Sequence, residues 1–225
     1  MGPLSDECIV ESWGRNVRPW TAAVREGQIA SRRQVTDQAV VDAVLGCAPR
    51  SVLDIGCGEG WLARELAARQ IAVTGIDVVE GLVAAAREAG GGEFHAMSYA
   101  AIAAGRLALF VDVVVCNFSL LGKESVDGLF RAVPSLLNPQ GVFVVQTLHP
   151  VVACGGLPYR DGWREGSWAG FGPEFSDPAP WYFRTLESWI ELFAASGLRL
   201  REVREPLHPS TGKPASVIFM ADVPA

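Results

Sequence analysis

The sequence lacks the marks of attachment to a membrane, a nucleic acid or a metal. Its longest apolar stretch, Leu107 to Leu121, is interrupted by Asp112 and falls short of the ~20 residues needed to cross a bilayer. In MGPLSDECIV no basic segment precedes an apolar one, and Asp6 stands where a myristoylation signal carries Ser or Thr, so a cytoplasmic protein is expected. A formal charge of −6 comes without any Lys/Arg block, which argues against a nucleic-acid partner. The five cysteines (Cys8, Cys47, Cys57, Cys116 and Cys154) form no CxxC pair. Neither a metal site nor a disulfide framework is expected, and the thiols should be reduced and mostly buried. No internal repeat is visible, and 225 residues suit one α/β domain.

What is present is an alternation of short β-branched runs with helical patterns, the signature of a parallel sheet wound from βα units. Strands are predicted over Ser51 to Ile55, Ile71 to Asp77, Glu93 to Met97, Phe110 to Asn117 and Gly141 to Leu148. Runs such as VDVVVC and VFVVQ show little polar alternation and belong in a sheet covered on both faces. Helices are predicted over Trp61 to Arg69, Glu80 to Ala89 and Glu124 to Leu137, the last interrupted at Pro134, with a short piece over Tyr99 to Ala104. Thr185 caps a further helix that ends at Gly197, and strands over Leu198 to Arg204 and Ser216 to Ala221 follow. A helical cap (1–47) therefore precedes a ligand-binding core (48–149), an insertion (150–184) and a final helix with two strands (185–225).

The sharpest signal is VLDIGCGEG, a buried strand followed by Gly56, Gly58 and Gly60 in GxGxG spacing and then by a helix. Glycine at such positions lets the backbone turn sharply and approach a ligand closely. About twenty residues on, Asp77 ends the next strand, where a carboxylate can accept both hydrogen bonds of a ribose diol. A nucleotide or nucleoside should lie there. A tight strand-to-helix turn without a ligand is the plainer alternative.

DIGCGEG, GIDVVEGLVAAAR (75–87), FVDVVVCNFSLL (110–121) and LLNPQGVFVVQTLHP (136–150) together resemble the class I S-adenosylmethionine-dependent methyltransferase family. The resemblance implies a Rossmann-like, doubly wound seven-stranded sheet with an antiparallel last strand. It also implies S-adenosylmethionine as cofactor, S-adenosylhomocysteine as product and a small-molecule acceptor. Asp54, Gly56, Cys57 and Gly58 would hold the methionine part, Asp77 the ribose and Val78 the adenine. Ser98 and Tyr99 replace the family's frequent Asp after the third strand, while Asn117 and Phe118 would face the methyl donor. Arg32 and Arg33 precede the N-terminal amphipathic helix, and one, taken as Arg33, would pair with the cofactor's carboxylate.

Two histidines, His149 after the fifth strand and His208 after the sixth, should reach the rim where ligands bind and are the candidate catalytic residues. The insertion 150–184 holds eight of the twenty aromatic residues, with six glycines and five prolines. Such a segment must bury its rings, so a lid over a partly apolar or aromatic acceptor is expected. A satellite core around Trp13 and Trp20 is the alternative. A nicotinamide-dependent oxidoreductase and a non-catalytic cofactor-binding module are the rival functions; acceptor identity and oligomeric state stay open.

Overall fold

The structure, a computed structural model, describes residues 4–224; positions 1–3 and 225 of the terminal segments lie outside them. Strands β1 (Ser51–Ile55), β2 (Ala72–Asp77), β3 (Glu93–Ala96), β4 (Val111–Asn117) and β5 (Leu137–Thr147) alternate with helices α4 (Trp61–Ala67), α5 (Glu80–Ala89), α6 (Tyr99–Ala103) and α7 (Glu124–Ala132). Three helices precede them: α1 (Asp6–Arg15), α2 (Val17–Arg25) and α3 (Asp37–Leu45), the last entered through a π-helical turn, Arg32–Thr36. After β5 come α8 (Pro150–Ala153), β6 (Gly162–Arg164), β7 (Trp181–Phe183), α9 (Leu186–Ala195), β8 (Arg199–Arg204) and β9 (Val217–Asp222).

The main sheet has the order β3-β2-β1-β4-β5-β9-β8. Pairing from β3 through β5 is parallel, and β9 runs antiparallel to both β5 and β8. The Rossmann-like seven-stranded sheet with its antiparallel last strand is thus the fold. Alternate residues of each strand serve opposite faces. Leu53, Ile55, Val114, Phe143 and Phe219 pack with residues of α7 and α9. Val52, Val113, Val115, Val144 and Ile218 pack with α3, α4 and α5. This two-sided burial explains the unbroken apolar runs. Among the described residues no helix is long and apolar enough to cross a membrane.

Two elements depart from the sequence reading. Strand β5 begins at Leu137 rather than Gly141, because Leu137 already pairs with Val111 before the register shifts, and Gln140 takes a left-handed φ of 69°. Helix α7 stops at Ala132, and Pro134 sits in a 3-10 turn, Val133–Leu136. The insertion holds more order than expected: β6 and β7 form a separate two-stranded ribbon. Among the described residues no disulfide joins any of the cysteines, and Cys57, Cys116 and Cys154 are buried.

Candidate active site

The strand order reverses between β1 and β4, and in open α/β sheets the crevice beyond such carboxyl ends receives the ligand. A cavity of about 1070 Å³ lies there, lined by the ends of all five parallel strands: Gly56, Asp77, Ser98, Asn117 and Thr147. Its cover comes from elsewhere in the chain. Ile9, Trp13 and Trp20 arrive from the N-terminal helices, and Trp168, Phe171 and Phe183 from the insertion.

The glycine loop is shaped by two different demands. Gly56, at φ 78°, packs so closely on Ser119 that a Cβ would overlap the serine's Cβ. Gly60, at φ 83°, precedes α4, and a Cβ there would press on Ala86 and Phe94 at 3.0 Å. Between them the Gly58 N–H donates to Asp77 Oδ2 at 3.0 Å, and the Val79 N–H donates to Asp77 Oδ1 at 2.9 Å. Asp77 thereby ties the loop after β1 to the end of β2. Burial raises its pKa, against the lowering effect of these backbone bonds.

Asp54 is 2% exposed and sits behind the loop rather than on the cavity wall. Burial, with the Asp77 charge second, pushes its carboxyl up to about 7. Burial likewise raises the Cys57 thiol and the Tyr99 phenol. The Tyr99 hydroxyl donates to the Ser119 carbonyl at 3.1 Å, and Ser119 Oγ donates to the Ile55 carbonyl at 2.8 Å. Ser98 Oγ caps α6 by accepting from the Ala101 N–H at 3.2 Å. Val78, 39% exposed, forms an apolar shelf beside Asp77.

Nine of the sequence-predicted residues therefore meet at one cavity: Gly56, Cys57, Gly58, Asp77, Val78, Ser98, Tyr99, Asn117 and Phe118. Arg33 does not, because its position on the π-helical turn leaves it exposed; its neighbour Arg32 lines the cavity instead. Arg32 Nε donates to Asp37 Oδ1 at 2.9 Å, its guanidinium lies 4.7 Å from the Trp61 ring, and its Nη2 is buried without a hydrogen-bond partner. Thr36 Oγ1 is also buried and unpartnered. Neither His149 nor His208 lines the cavity. His149 is buried with Nε2 2.6 Å from Glu205, and His208 Nδ1 accepts from the Ser210 N–H within its own turn.

Several site residues were not apparent from sequence. Glu59, 1% exposed, binds Arg25 of α2 at 3.0 Å and Arg64 of α4 at 2.8 Å, fastening the N-terminal helices to the glycine loop. Asp6 of α1 accepts from the Lys123 and Ser125 N–H groups at 2.9 and 2.8 Å and so caps α7. The insertion docks on α1 and α2 through Trp13 against Trp168, ring centroids 5.7 Å apart, and through Asn16, whose amide exchanges two hydrogen bonds with the Ser176 backbone. Rings of the insertion pack on Trp13 and Trp20, and Trp168 and Phe171 also line the cavity.

Fold and cavity define an α/β protein with a deep crevice at its topological switch point. A family model described as a methyltransferase domain matches residues 30–203, and the chain belongs to this methyltransferase family. The ubiquinone biosynthesis O-methyltransferase of Pseudomonas aeruginosa (strain LESB58) is 35% identical over 117 residues, 48% of this chain and 49% of that protein. The match thus spans about half the length of this relative. Among solved structures, an S-adenosylmethionine-dependent methyltransferase from Clostridium acetobutylicum aligns with TM-score 0.66 at 12% identity, over 91% of this chain and 96% of its own. One from Mesorhizobium loti gives TM-score 0.60 at 24% identity, over 80% and 97%. At such identities the likeness is one of fold.

Proposed function

We propose that this chain transfers a methyl group from S-adenosylmethionine to a small, partly apolar or aromatic acceptor. The observation that carries the reading is Asp77, held by the Gly58 and Val79 N–H groups on the wall of a cavity whose glycine loop leaves no room for a side chain at Gly56. The residues fit the cofactor. Asp77 would accept from the ribose diol, Val78 would cover the adenine, and Gly56, Cys57 and Gly58 would follow the amino-acid part. Buried polar atoms without partners are costly, and a carboxylate would satisfy Arg32 Nη2 and Thr36 Oγ1.

When bound, S-adenosylmethionine supplies an electrophilic sulfonium methyl group. The chain's own contribution is alignment and exclusion of water, and alignment alone lowers a barrier by up to about 7 to 11 kcal/mol in ideal geometry. Asn117 ends β4 and Phe118 follows it, where both would flank the methyl group, with Phe118 set by a φ of 53° and by its N–H donating to the Gln146 carbonyl at 2.8 Å. Trp13, Trp168, Phe171 and Phe183 supply the apolar wall for the acceptor. This reading gives His149 and His208 no contact with the reacting atoms. The named O-methyltransferase relative supports a small acceptor.

Calorimetric titration with S-adenosylhomocysteine and with NAD, followed by transfer of labelled methyl into a metabolite extract, tests the proposal. Binding of S-adenosylhomocysteine that weakens at least tenfold in Asp77→Ala is the expected result. Binding of NAD alone would overturn it.

A further inference from the structure

Gln146 is fully buried at the penultimate position of β5, and three of the four hydrogen-bonding positions of its amide are used. Nε2 donates to the Thr36 carbonyl at 2.9 Å and to Asn117 Oδ1 at 2.7 Å. Oε1 accepts from Ser216 Oγ at 3.0 Å. These partners come from the π-helical turn, from the end of β4 and from the start of β9, and Thr36 is separated from Gln146 by 110 positions.

The pattern has a direction. The Thr36 carbonyl can only accept, so the nitrogen of the Gln146 amide must face it. That choice places a donor against Asn117 and makes the Asn117 oxygen its acceptor, leaving Asn117 Nδ2 as the group not used by Gln146. Asn117 and Thr36 both line the cavity, as does Arg32 at the start of the same turn. Arg32 Nη2 and Thr36 Oγ1 are buried without partners and, among the described residues, share that state only with His149 Nδ1, which does not line the cavity. All three side chains can donate hydrogen bonds, so this end of the cavity is suited to an oxygen-rich anion.

We propose that Gln146 is a positioning residue for the amino-acid end of the cofactor: its buried amide fixes the donor polarity of Asn117 and the placement of the Arg32–Thr36 turn. The proposal rests on the methyl-transfer reading above. Gln146 touches no ligand; it acts through the residues it holds. Gln146→Glu keeps the shape and removes both donors, setting a carboxylate against the Thr36 carbonyl and Asn117 Oδ1.

Calorimetry with two probes separates this role from a merely structural one. S-Adenosylhomocysteine carries the amino-acid end, and 5′-methylthioadenosine has the same nucleoside and thioether without it. In Gln146→Glu the dissociation constant for S-adenosylhomocysteine should rise at least tenfold while that for 5′-methylthioadenosine stays within about twofold. Equal weakening of both ligands, or an unchanged constant for S-adenosylhomocysteine, would overturn the assignment. Should the Gln146→Glu chain fail to fold, Ser216→Ala, which removes only the donor to Oε1, decides by the same split. If the unsubstituted protein binds neither probe, the functional reading itself falls, and this assignment with it.

Discussion

Arg184 and Asp127 form a 2.8 Å ion pair that joins the end of the aromatic insertion to α7. The guanidinium is 4% exposed, donates further to the Gly122 and Lys123 carbonyls, and lies 4.9 Å from the Tyr182 ring and 5.1 Å from that of Trp189. Removing one partner of a buried pair strands the other charge. Asp127→Ala should therefore cost about 3 kcal/mol, read as a lower urea midpoint with an unchanged slope. A cost below about 1 kcal/mol would show that the two carbonyls suffice for Arg184.

The close approach of Gly56 to Ser119 predicts a coupled pair. Gly56→Ala should destabilise by about 2 kcal/mol or more, from the left-handed φ and from overlap with the serine Cβ. Adding Ser119→Gly removes the overlap but not the φ. The double variant should be more stable than the two single effects imply, by about 1 kcal/mol; simple additivity would show that the loop moves away from β4 instead.

Asp54 predicts a pH dependence with a definite sign. Its carboxyl is raised from 3.8 to about 7 by burial, so the folded state holds a proton that the unfolded state releases. The resulting penalty is absent below about pH 4, grows through the interval to about pH 7 by up to about 1.4 kcal/mol per pH unit, and is constant above it. Asp54→Asn should match the unsubstituted protein near pH 4 and exceed its melting temperature at pH 8. A difference independent of pH would place the titration elsewhere, and Asp77, also raised, is the alternative.

Asn16 predicts how the cover is fastened. Its buried amide bonds the Ser176 backbone twice and the Ser12 carbonyl once. Asn16→Ala should release the insertion, so that limited proteolysis between residues 166 and 177 accelerates at least tenfold. Unchanged proteolysis would assign the docking to the remaining contacts, the Trp13 and Trp168 rings and the Ser12 and Arg15 bonds to Asp177.

The legible parts of the sequence were those with local causes. Glycine ends β1 at Gly56 and α5 at Gly90, and both elements keep their predicted bounds, Ser51–Ile55 and Glu80–Ala89. From sequence, Leu137 reads as the end of a helix and Gly141 as the start of a strand, yet β5 begins at Leu137 because its pairing with Val111 outweighs local propensity. The cavity-lining residues near the glycine loop were visible because a strand end fixes where a side chain emerges. Glu59, Asp6, Gln146 and Arg184 were not, since each acts through a partner set by tertiary packing: Asp6 reaches Ser125 across 119 positions. Which of two adjacent arginines lines the cavity was illegible for a related reason, as the π-helical turn sets it: Arg32 lines the cavity and Arg33 is exposed.

The capping of α7 by Asp6 bears on how ligand binding is felt by the chain. The cavity wall exists only when the first helix, the π-helical turn, the strand ends and the insertion have all assembled. A partly folded chain that has formed the sheet alone presents the glycine loop but none of the cover. Ligand that binds the assembled cavity then opposes every opening that undoes the wall, partial or complete, by mass action on the native state. Saturating ligand should slow hydrogen exchange as strongly at the amides of Lys123 and Ser125, which Asp6 holds, as at those of Gly56 and Gly58.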